Sequence, residues 1–351
     1  MKILYITSDT NSLGGIQQYN RKFIAALKAR GDSVVLVEIK SGGAWAGIKF
    51  VLNSFFKSVS FKPDVIVCAH VNYSPIGFFI KKLFGYEYIV CTHGIDVWNI
   101  RSFLQRKSLL EAKVITTVAE FTGEKMIAQL PELKDKIYFL YNPVDGSRFA
   151  PKGKPTLLIN RYGLKGKKVI FTVARLSSLE GYKGYDRVIQ AMPEILSAVT
   201  EAIYLLGGKG DDMPRVRNLI DAMNLGDKVI VAGFIPDEEI VDYYNLADVF
   251  TMPSKAEGAP AVYVEALSCG IPVIAGNQDG SGTPLLGGEI GLLVNPDDIH
   301  EIAQSIVNVL TGKVRKELLD RAFLRQKVLS KFGIELFPKR VDELLLRFFN
   351  K

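Results

Sequence analysis

The sequence predicts an α/β fold of two doubly wound, Rossmann-like domains, and three observations carry that prediction. Apolar runs of strand length alternate with amphipathic helical stretches, the pattern of βαβ units on a parallel sheet. The alternation breaks over a segment of linker composition, Gly146 to Gly153, which carries Pro151 and charged residues, and then starts again. The length, 351 residues with 48% hydrophobic side chains, is too great for one compact core and sufficient for two. The boundary is set near residue 150, giving domains 1–150 and 151–334, with a last helix at about 335–351 expected to pack back near the first domain.

Taken in order, Ile3–Thr7 reads as the first strand. The loop Asp9-Thr10-Asn11-Ser12-Leu13-Gly14-Gly15 follows, and then a helix from about Ile16 to Ala29 that Gly31 stops. Val34–Ile39, Val65–Ala69, Tyr88–Thr92 and Val114–Val118 read as further strands. Gly14 and Gly15, ahead of a helix, let backbone approach a phosphate, although a lone Gly-Gly is no dinucleotide fingerprint. His93 lies just past the carboxyl end of a strand, where parallel sheets bind ligands, and Gly94 beside it gives room for close approach. His70 also follows a strand and competes for that role.

The second half repeats the pattern, with strands at Val169–Val173, Ile203–Leu206 and Val229–Ala232. Arg175 and Lys183 flank a Gly-containing loop beyond the first of these. A guanidinium fork and a compact ammonium suit a diphosphate clamp; the plainer reading is two solvated surface cations. Gly207-Gly208-Lys209-Gly210-Asp211 ends the second strand, and Gly233-Phe234-Ile235-Pro236 follows the third. Helices continue to the end, including Glu335–Phe349 with its apolar stripe.

The net charge of +7 is unevenly divided. Residues 1–150 hold 19 Lys and Arg against 12 Asp and Glu, whereas residues 151–351 hold 25 of each. A basic first half can meet nucleic acid, anionic lipid or a phosphorylated substrate. It also holds two helical stretches, Trp45 to Phe61 and Pro75 to Phe84, that mix aromatics with lysines. Such helices either pack their apolar face on the sheet or lie in a membrane interface. Cys68, Cys91 and Cys269 lie far apart among apolar neighbours, so buried free thiols in a reducing compartment are expected. With Met1-Lys2 running straight into a strand, no signal peptide is expected, and no apolar run is long enough to span a bilayer. The expected location is cytoplasmic, with peripheral contact on the inner face of the cytoplasmic membrane.

The most informative stretch is Ala247 to Pro272, with Glu257 and Glu265 eight positions apart. Asp248 to Pro253 reads as a short buried strand, Glu257-Gly258-Ala259-Pro260 as a loop, and Ala261–Cys269 as a helix stopped by Gly270 and Pro272. A loop opening a helix at a strand end leaves backbone N–H groups aimed at a ligand. A carboxylate accepts through two oxygens, which suits the paired hydroxyls of a sugar or ribose. Two ordinary solvent-facing glutamates are the plainer reading.

The surrounding residues resemble the donor-site signature of retaining glycosyltransferases of the GT-B fold, the family 4 group. The matching residues are Pro253-Ser254-Lys255-Ala256-Glu257-Gly258 and then Glu265-Ala266-Leu267-Ser268-Cys269-Gly270-Ile271-Pro272-Val273-Ile274. Tyr141-Asn142-Pro143-Val144-Asp145 is similar to the segment that ends the family's first domain. The resemblance is thin over the first half and dense from Val169 to Pro296, where Asn277–Ser281 and Gly291–Pro296 complete it. The sequence departs from the family at Ala259-Pro260, where an aromatic and a second glycine are usual, so a backbone donor is missing at Pro260. The Arg175–Lys183 gap of eight is also longer than usual.

The resemblance implies two Rossmann-like domains facing a cleft and transfer of a hexosyl unit from a UDP- or GDP-sugar, the nucleotide sugar being a substrate. Arg175 and Lys183 would hold the diphosphate, Glu257 the sugar hydroxyls and Glu265 the ribose. Gly208, Gly258, Ala259 and Ala261 would line the donor, Phe234 and Ile235 would lie against the base, and Gly14 and Gly15 would face the donor phosphate across the cleft. His93 would face the sugar ring, with acceptor attack on the face that the diphosphate leaves; Asp96 is a further candidate nucleophile. No Asp-x-Asp pair stands at a matching strand end, so no obligatory metal is expected. The implied acceptor is a glycan or lipid-linked molecule of cell-envelope or exopolysaccharide synthesis. A nucleotide-sugar epimerase shares the architecture and is the alternative. A glucan phosphorylase needs a much longer chain, and a nucleic-acid-binding protein needs RNA or DNA signatures that the basic half lacks.

Overall fold

The computed structural model describes residues 1–12, 14–40 and 42–349; Leu13, part of the expected Asp9–Gly15 loop, lies outside them, as do the last two residues of the helix expected at about 335–351. The chain forms two compact units, Met1–Pro143 with the segment from Ile334 onward, and Val144–Gly333.

The sheet of the first unit holds β1 (Lys2–Ser8), β2 (Ser33–Ile39), β3 (Val65–Cys68), β4 (Glu87–Thr92), β5 (Val114–Thr117) and β6 (Ile137–Phe139). Their order is β2-β1-β3-β4-β5-β6, all parallel. Ile3, Leu4, Tyr5 and Ile6 have no exposure, and every residue of β3 is buried. This two-sided burial is why these strands read as continuous apolar runs. The helices α1 (Gly15–Ala29), α2 (Ala44–Phe61) and α3 (Ser74–Phe84) belong to this unit. The helix Phe337–Phe349 returns to α1: Phe337 sets its ring edge-on to Tyr19 and Phe23, and Arg30 pairs with Asp342.

The second sheet holds β7 (Lys168–Val173), β8 (Ala202–Gly207), β9 (Val229–Gly233), β10 (Val249–Met252), β11 (Val273–Gly276) and β12 (Leu292–Val294), in the parallel order β12-β11-β10-β7-β8-β9. Its core joins Ile170, Tyr204, Leu206, Val249 and Ile274 to Val188, Ile189 and Met192 of the helix Tyr185–Ala198 and to Ile302 and Ile306 of Ile299–Leu310.

The division between units falls after Pro143, ahead of the position near 150 read from linker composition. The Val144 N–H donates to Phe332 O at 2.7 Å, and Arg325 donates to Gly146 O and Phe149 O, both at 2.7 Å. Residues 144–149 are thereby fastened to the helix Arg321–Phe332 of the second unit. Cys68, Cys91 and Cys269 are buried and unpaired. Among the described residues no helix is long and apolar enough to cross a membrane.

Candidate active site

In the second sheet the strand order reverses at β7, which has β8 on one side and β10 on the other. At such a switch point the loops leaving neighbouring strand ends diverge and open a crevice. The two loops are residues 174–184, which include a short 3-10 turn Ser178–Lys183, and residues 253–260. Close approaches join them to their neighbours. Gly184 sits at φ +74, where a side-chain Cβ would lie 2.2 Å from Pro253 O. Gly208, at φ +137, would bring a Cβ to 1.9 Å from Ala174 O, and Gly280 to 1.7 Å from Gly258 O. Any larger residue at these positions would force the loops apart.

Four charged side chains form one network here. Lys183 Nζ lies 2.5 Å from Glu257 Oε1 and 3.6 Å from Glu180 Oε2, while Glu180 Oε1 pairs with Arg175. Lys183, Glu180 and Glu257 are largely buried, whereas Arg175 is 73% exposed at its side chain. Burial alone lowers the Lys183 ammonium, but Glu257 holds it above its ordinary value. Burial pushes the Glu257 carboxyl up, against the pull of Lys183 and with help from Asp279 and Glu180.

Asp279 fixes the Glu257 loop. Its Oδ2 accepts from the Glu257 N–H and from Ser254 Oγ, both at 2.8 Å, and its Oδ1 accepts from the Ser281 N–H at 2.9 Å. The Gly280 N–H returns a bond to Glu257 O at 2.8 Å, and the Lys255 N–H donates to Tyr182 O at 2.9 Å, tying the two crevice loops together. Beyond this anchor Gly258 and Ala259 lead to the helix Ala261–Ser268, whose N-cap is Pro260, with no side-chain cap. Its first N–H groups, from Ala261 on, precede any helical acceptor. Glu265 lies on this helix and accepts from the buried Tyr244 hydroxyl at 2.8 Å.

Gly208 brings the β8 loop beneath Ala174, and Lys209 Nζ sits 4.5 Å from the centre of the Phe234 ring. Phe234 is 57% exposed, but Ile235 is buried with its Cδ1 over Gly207. Of the pair expected against a base, Phe234 alone presents its side chain. At the opposite, amino-terminal edge of the strands an open depression of about 380 Å³ is lined by Lys154, Lys168, Asp248 and Arg321. That edge is not where open parallel sheets bind their ligands.

The remaining sequence candidates lie in the first unit. Gly14 caps α1 at φ +151, with Gly15 its first residue. His93 follows β4; its Nε2 lies 2.9 Å from Ala69 O, which only accepts, so Nε2 carries the proton and Nδ1 the lone pair. Burial drives its pKa down to about 4. The Asp96 carboxylate accepts from the His93 N–H at 3.0 and 3.2 Å and from the Gly94 N–H at 2.7 Å, so it caps this turn. His70 stacks on His93 with ring centres 6.0 Å apart, its Nε2 3.8 Å from Asp96.

Arg175, Lys183 and Glu257 are thus brought into one network, with Glu180 as a member that the sequence reading passed over. Tyr244 and Lys209 were missed likewise. Among the described residues no group of three or more His, Cys, Asp or Glu is placed to hold a metal ion.

Comparison with known proteins bears on the same half of the chain. Residues 157–323 match the family model of glycosyl transferases group 1. A relative from Mycolicibacterium smegmatis, described as a GDP-mannose-dependent alpha-(1-6)-phosphatidylinositol monomannoside mannosyltransferase, is 29% identical over 240 residues, 65% of this chain and 62% of its own length. The putative glycosyltransferase YtcC of Bacillus subtilis is 31% identical over 246 residues, 66% of this chain and 56% of its own. The chain therefore spans about three fifths of the length of these curated relatives. Among solved structures, Anabaena Alr3699/HepE in complex with UDP superposes with a TM-score of 0.83 at 17% identity, over 99% of this chain and 100% of that one. Sucrose-phosphate synthase from Thermosynechococcus elongatus gives 0.81 at 20% identity, over 99% of both. These likenesses identify the fold as GT-B. Residues 157–323 thus match the glycosyl transferases group 1 model, within a chain that has the GT-B fold over nearly its whole length.

Proposed function

We propose that this protein is a retaining hexosyltransferase that moves a hexosyl unit from a UDP- or GDP-sugar to a lipid-linked or glycan acceptor of cell-envelope or exopolysaccharide synthesis. The observation that carries the reading is the Arg175–Glu180–Lys183–Glu257 network at the switch point of the group 1 domain. Two cations there meet the charge that grows on a diphosphate as its bond to the sugar breaks. In that step the C1–O bond to the diphosphate breaks and a bond from the acceptor oxygen to C1 forms on the same face. The acceptor's proton passes to the leaving phosphate oxygen. Because Arg175 and Lys183 supply the countercharge, the scheme calls on no metal.

Glu257 binds sugar hydroxyls, with Asp279 holding its backbone in place. Glu265, steadied by Tyr244, takes the ribose hydroxyls. The N–H groups around Gly258, Ala259 and Ala261 line the donor, Gly208 leaves room beside them, and Phe234 lies against the base. His93, neutral above about pH 4 because of burial, adds no positive charge to repel an oxocarbenium-like sugar. Gly14 and Gly15 serve the phosphate side. Relatives described as acting on phosphatidylinositol monomannoside support a lipid-linked acceptor, and a GDP-mannose relative and a UDP-bound neighbour support the two candidate bases. The enzyme then works in peripheral contact with an anionic membrane.

The test is incubation with a panel of UDP- and GDP-sugars, with and without a membrane-lipid extract, followed by mass spectrometry and assignment of the product's anomeric configuration. Transfer with retention is expected. An altered sugar nucleotide formed without acceptor would instead make the protein an epimerase. Arg175→Ala and Lys183→Ala should each lower turnover by about a hundredfold or more.

A further inference from the structure

We infer that the exposed faces of α2 and the end of α3 form one docking surface for an anionic lipid bilayer, entered to interfacial depth. This deepens the acceptor side of the proposed function and rests on it only for what is glycosylated there. α2 buries little of itself: Phe50, Ser54 and Ser58 are its buried residues. Trp45, Ile48, Leu52, Phe56 and Val59, spaced by three and four positions, form a single outward stripe. Trp45 is 75% exposed, Leu52 63% and Phe56 66%. The stripe is about 21 Å long at the helical rise. Phe79, Leu83 and Phe84 of α3 are exposed as well, and Phe55 meets Phe84 with ring centres 6.5 Å apart, joining the two helices. A folded monomer rarely leaves a contiguous apolar surface of this kind without a use for it.

Charge selects the occupant. Residues 39–86 contain six lysines, Lys40, Lys49, Lys57, Lys62, Lys81 and Lys82, and one carboxylate, Asp64; Lys81 pairs with Glu87 at 2.8 Å and Lys82 with Glu111 at 3.4 Å, so the surplus charge rests on the other four. Asp64 is already engaged, accepting from the Lys2 N–H at 2.7 Å. A second copy of the chain meeting this surface across a two-fold axis would set lysines against lysines. An anionic bilayer supplies both the apolar medium for the stripe and the negative headgroups for its lysines, each worth several-fold in binding at low salt. Apolar aromatics with ammonium groups on long stems are the side chains that settle at that boundary.

The full chain is tested by flotation with vesicles of phosphatidylcholine alone and with phosphatidylglycerol added, at low and high salt, and by tryptophan emission. Wild type should float with the anionic vesicles, lose most binding at high salt, and shift its emission to the blue, a shift absent in Trp45→Phe. Leu52→Glu/Phe56→Glu should weaken vesicle binding at least about tenfold, as should Lys49→Gln/Lys57→Gln/Lys82→Gln. These side chains are on the surface, and thermal melts check that each variant folds. Titration of GDP and UDP into the same variants should be unchanged, which separates this surface from the donor site. A wild type that stays unbound, variants that float like wild type, or a wild-type dimer that the Glu variants break apart would overturn the inference.

Discussion

At the residue scale, the candidate site is a set of charges that neutralise one another until a ligand arrives. Arg175 and Lys183 each already hold a carboxylate, and Glu180 touches both. An entering diphosphate must take Arg175 from Glu180, so Glu180→Gln should tighten nucleoside diphosphate binding by about two- to fivefold, the scale of one exposed pair. Calorimetry reads this directly, and weaker binding would make Glu180 a positioning residue instead. The two glutamates should separate by ligand. Glu257→Gln should damage transfer yet leave free nucleoside diphosphate binding largely intact, while Glu265→Gln should cost that binding about 1.5–3 kcal/mol. Equal losses in both would sink the division of labour. His93 carries a pH prediction. Its folded pKa of about 4 lies below the ordinary 6.5, so between those values the unfolded chain binds more protons. The neutral side chain's contribution is fully present above about pH 6.5 and is lost as pH falls toward 4. Asp96, whose carboxyl burial raises, works in the opposite sense, and His70 in the same sense as His93. Comparing denaturant melts of wild type and His93→Gln across this window isolates the contribution of His93. Parallel curves would contradict it.

At the scale of elements, the loops matter more than the strands that carry them. Asp279 receives three hydrogen bonds from Ser254, Glu257 and Ser281 inside a buried site. Asp279→Ala would leave those donors unpaired at a cost of about 1–3 kcal/mol and should loosen the Glu257 loop, so both the denaturation midpoint and turnover should fall. A variant with unchanged midpoint would show that the loop is held some other way. This is also where sequence legibility ends. The runs VIVC and AIYLLG are readable as strands because both faces are buried and no polar position interrupts them. β6 escaped notice because Ile137, Tyr138 and Phe139 form a half-exposed edge with no such run. Asp279 lies 22 positions from Glu257, and Glu180 sits in a loop without periodicity, so neither partnership leaves a local pattern. Ile235 looked like a base contact by its place in a motif, yet the missing side chain at Gly207 makes the hole that buries it.

At the scale of the whole molecule, charge and chemistry are divided between two parts of the sequence. All the surplus positive charge lies in residues 1–150, whereas the half that carries the group 1 domain is balanced, with 25 charges of each sign. Donor binding therefore does not account for the basic half, and the lysines beside the α2 stripe give it a separate task. The break in composition near residue 150 is visible in the sequence, but the division after Pro143 is not, because the Val144 N–H bonds to Phe332, far along the chain. On the proposed function, the β7–β10 switch point binds a nucleoside diphosphate through Lys183. This is tested most directly by isothermal titration of GDP and UDP into wild type and into Lys183→Ala. At least one nucleotide should bind wild type, and the folded variant should bind it at least about tenfold more weakly, the worth of one charge-assisted contact. A wild type that binds neither nucleotide, or a Lys183→Ala variant that binds as tightly as wild type, would contradict the claim.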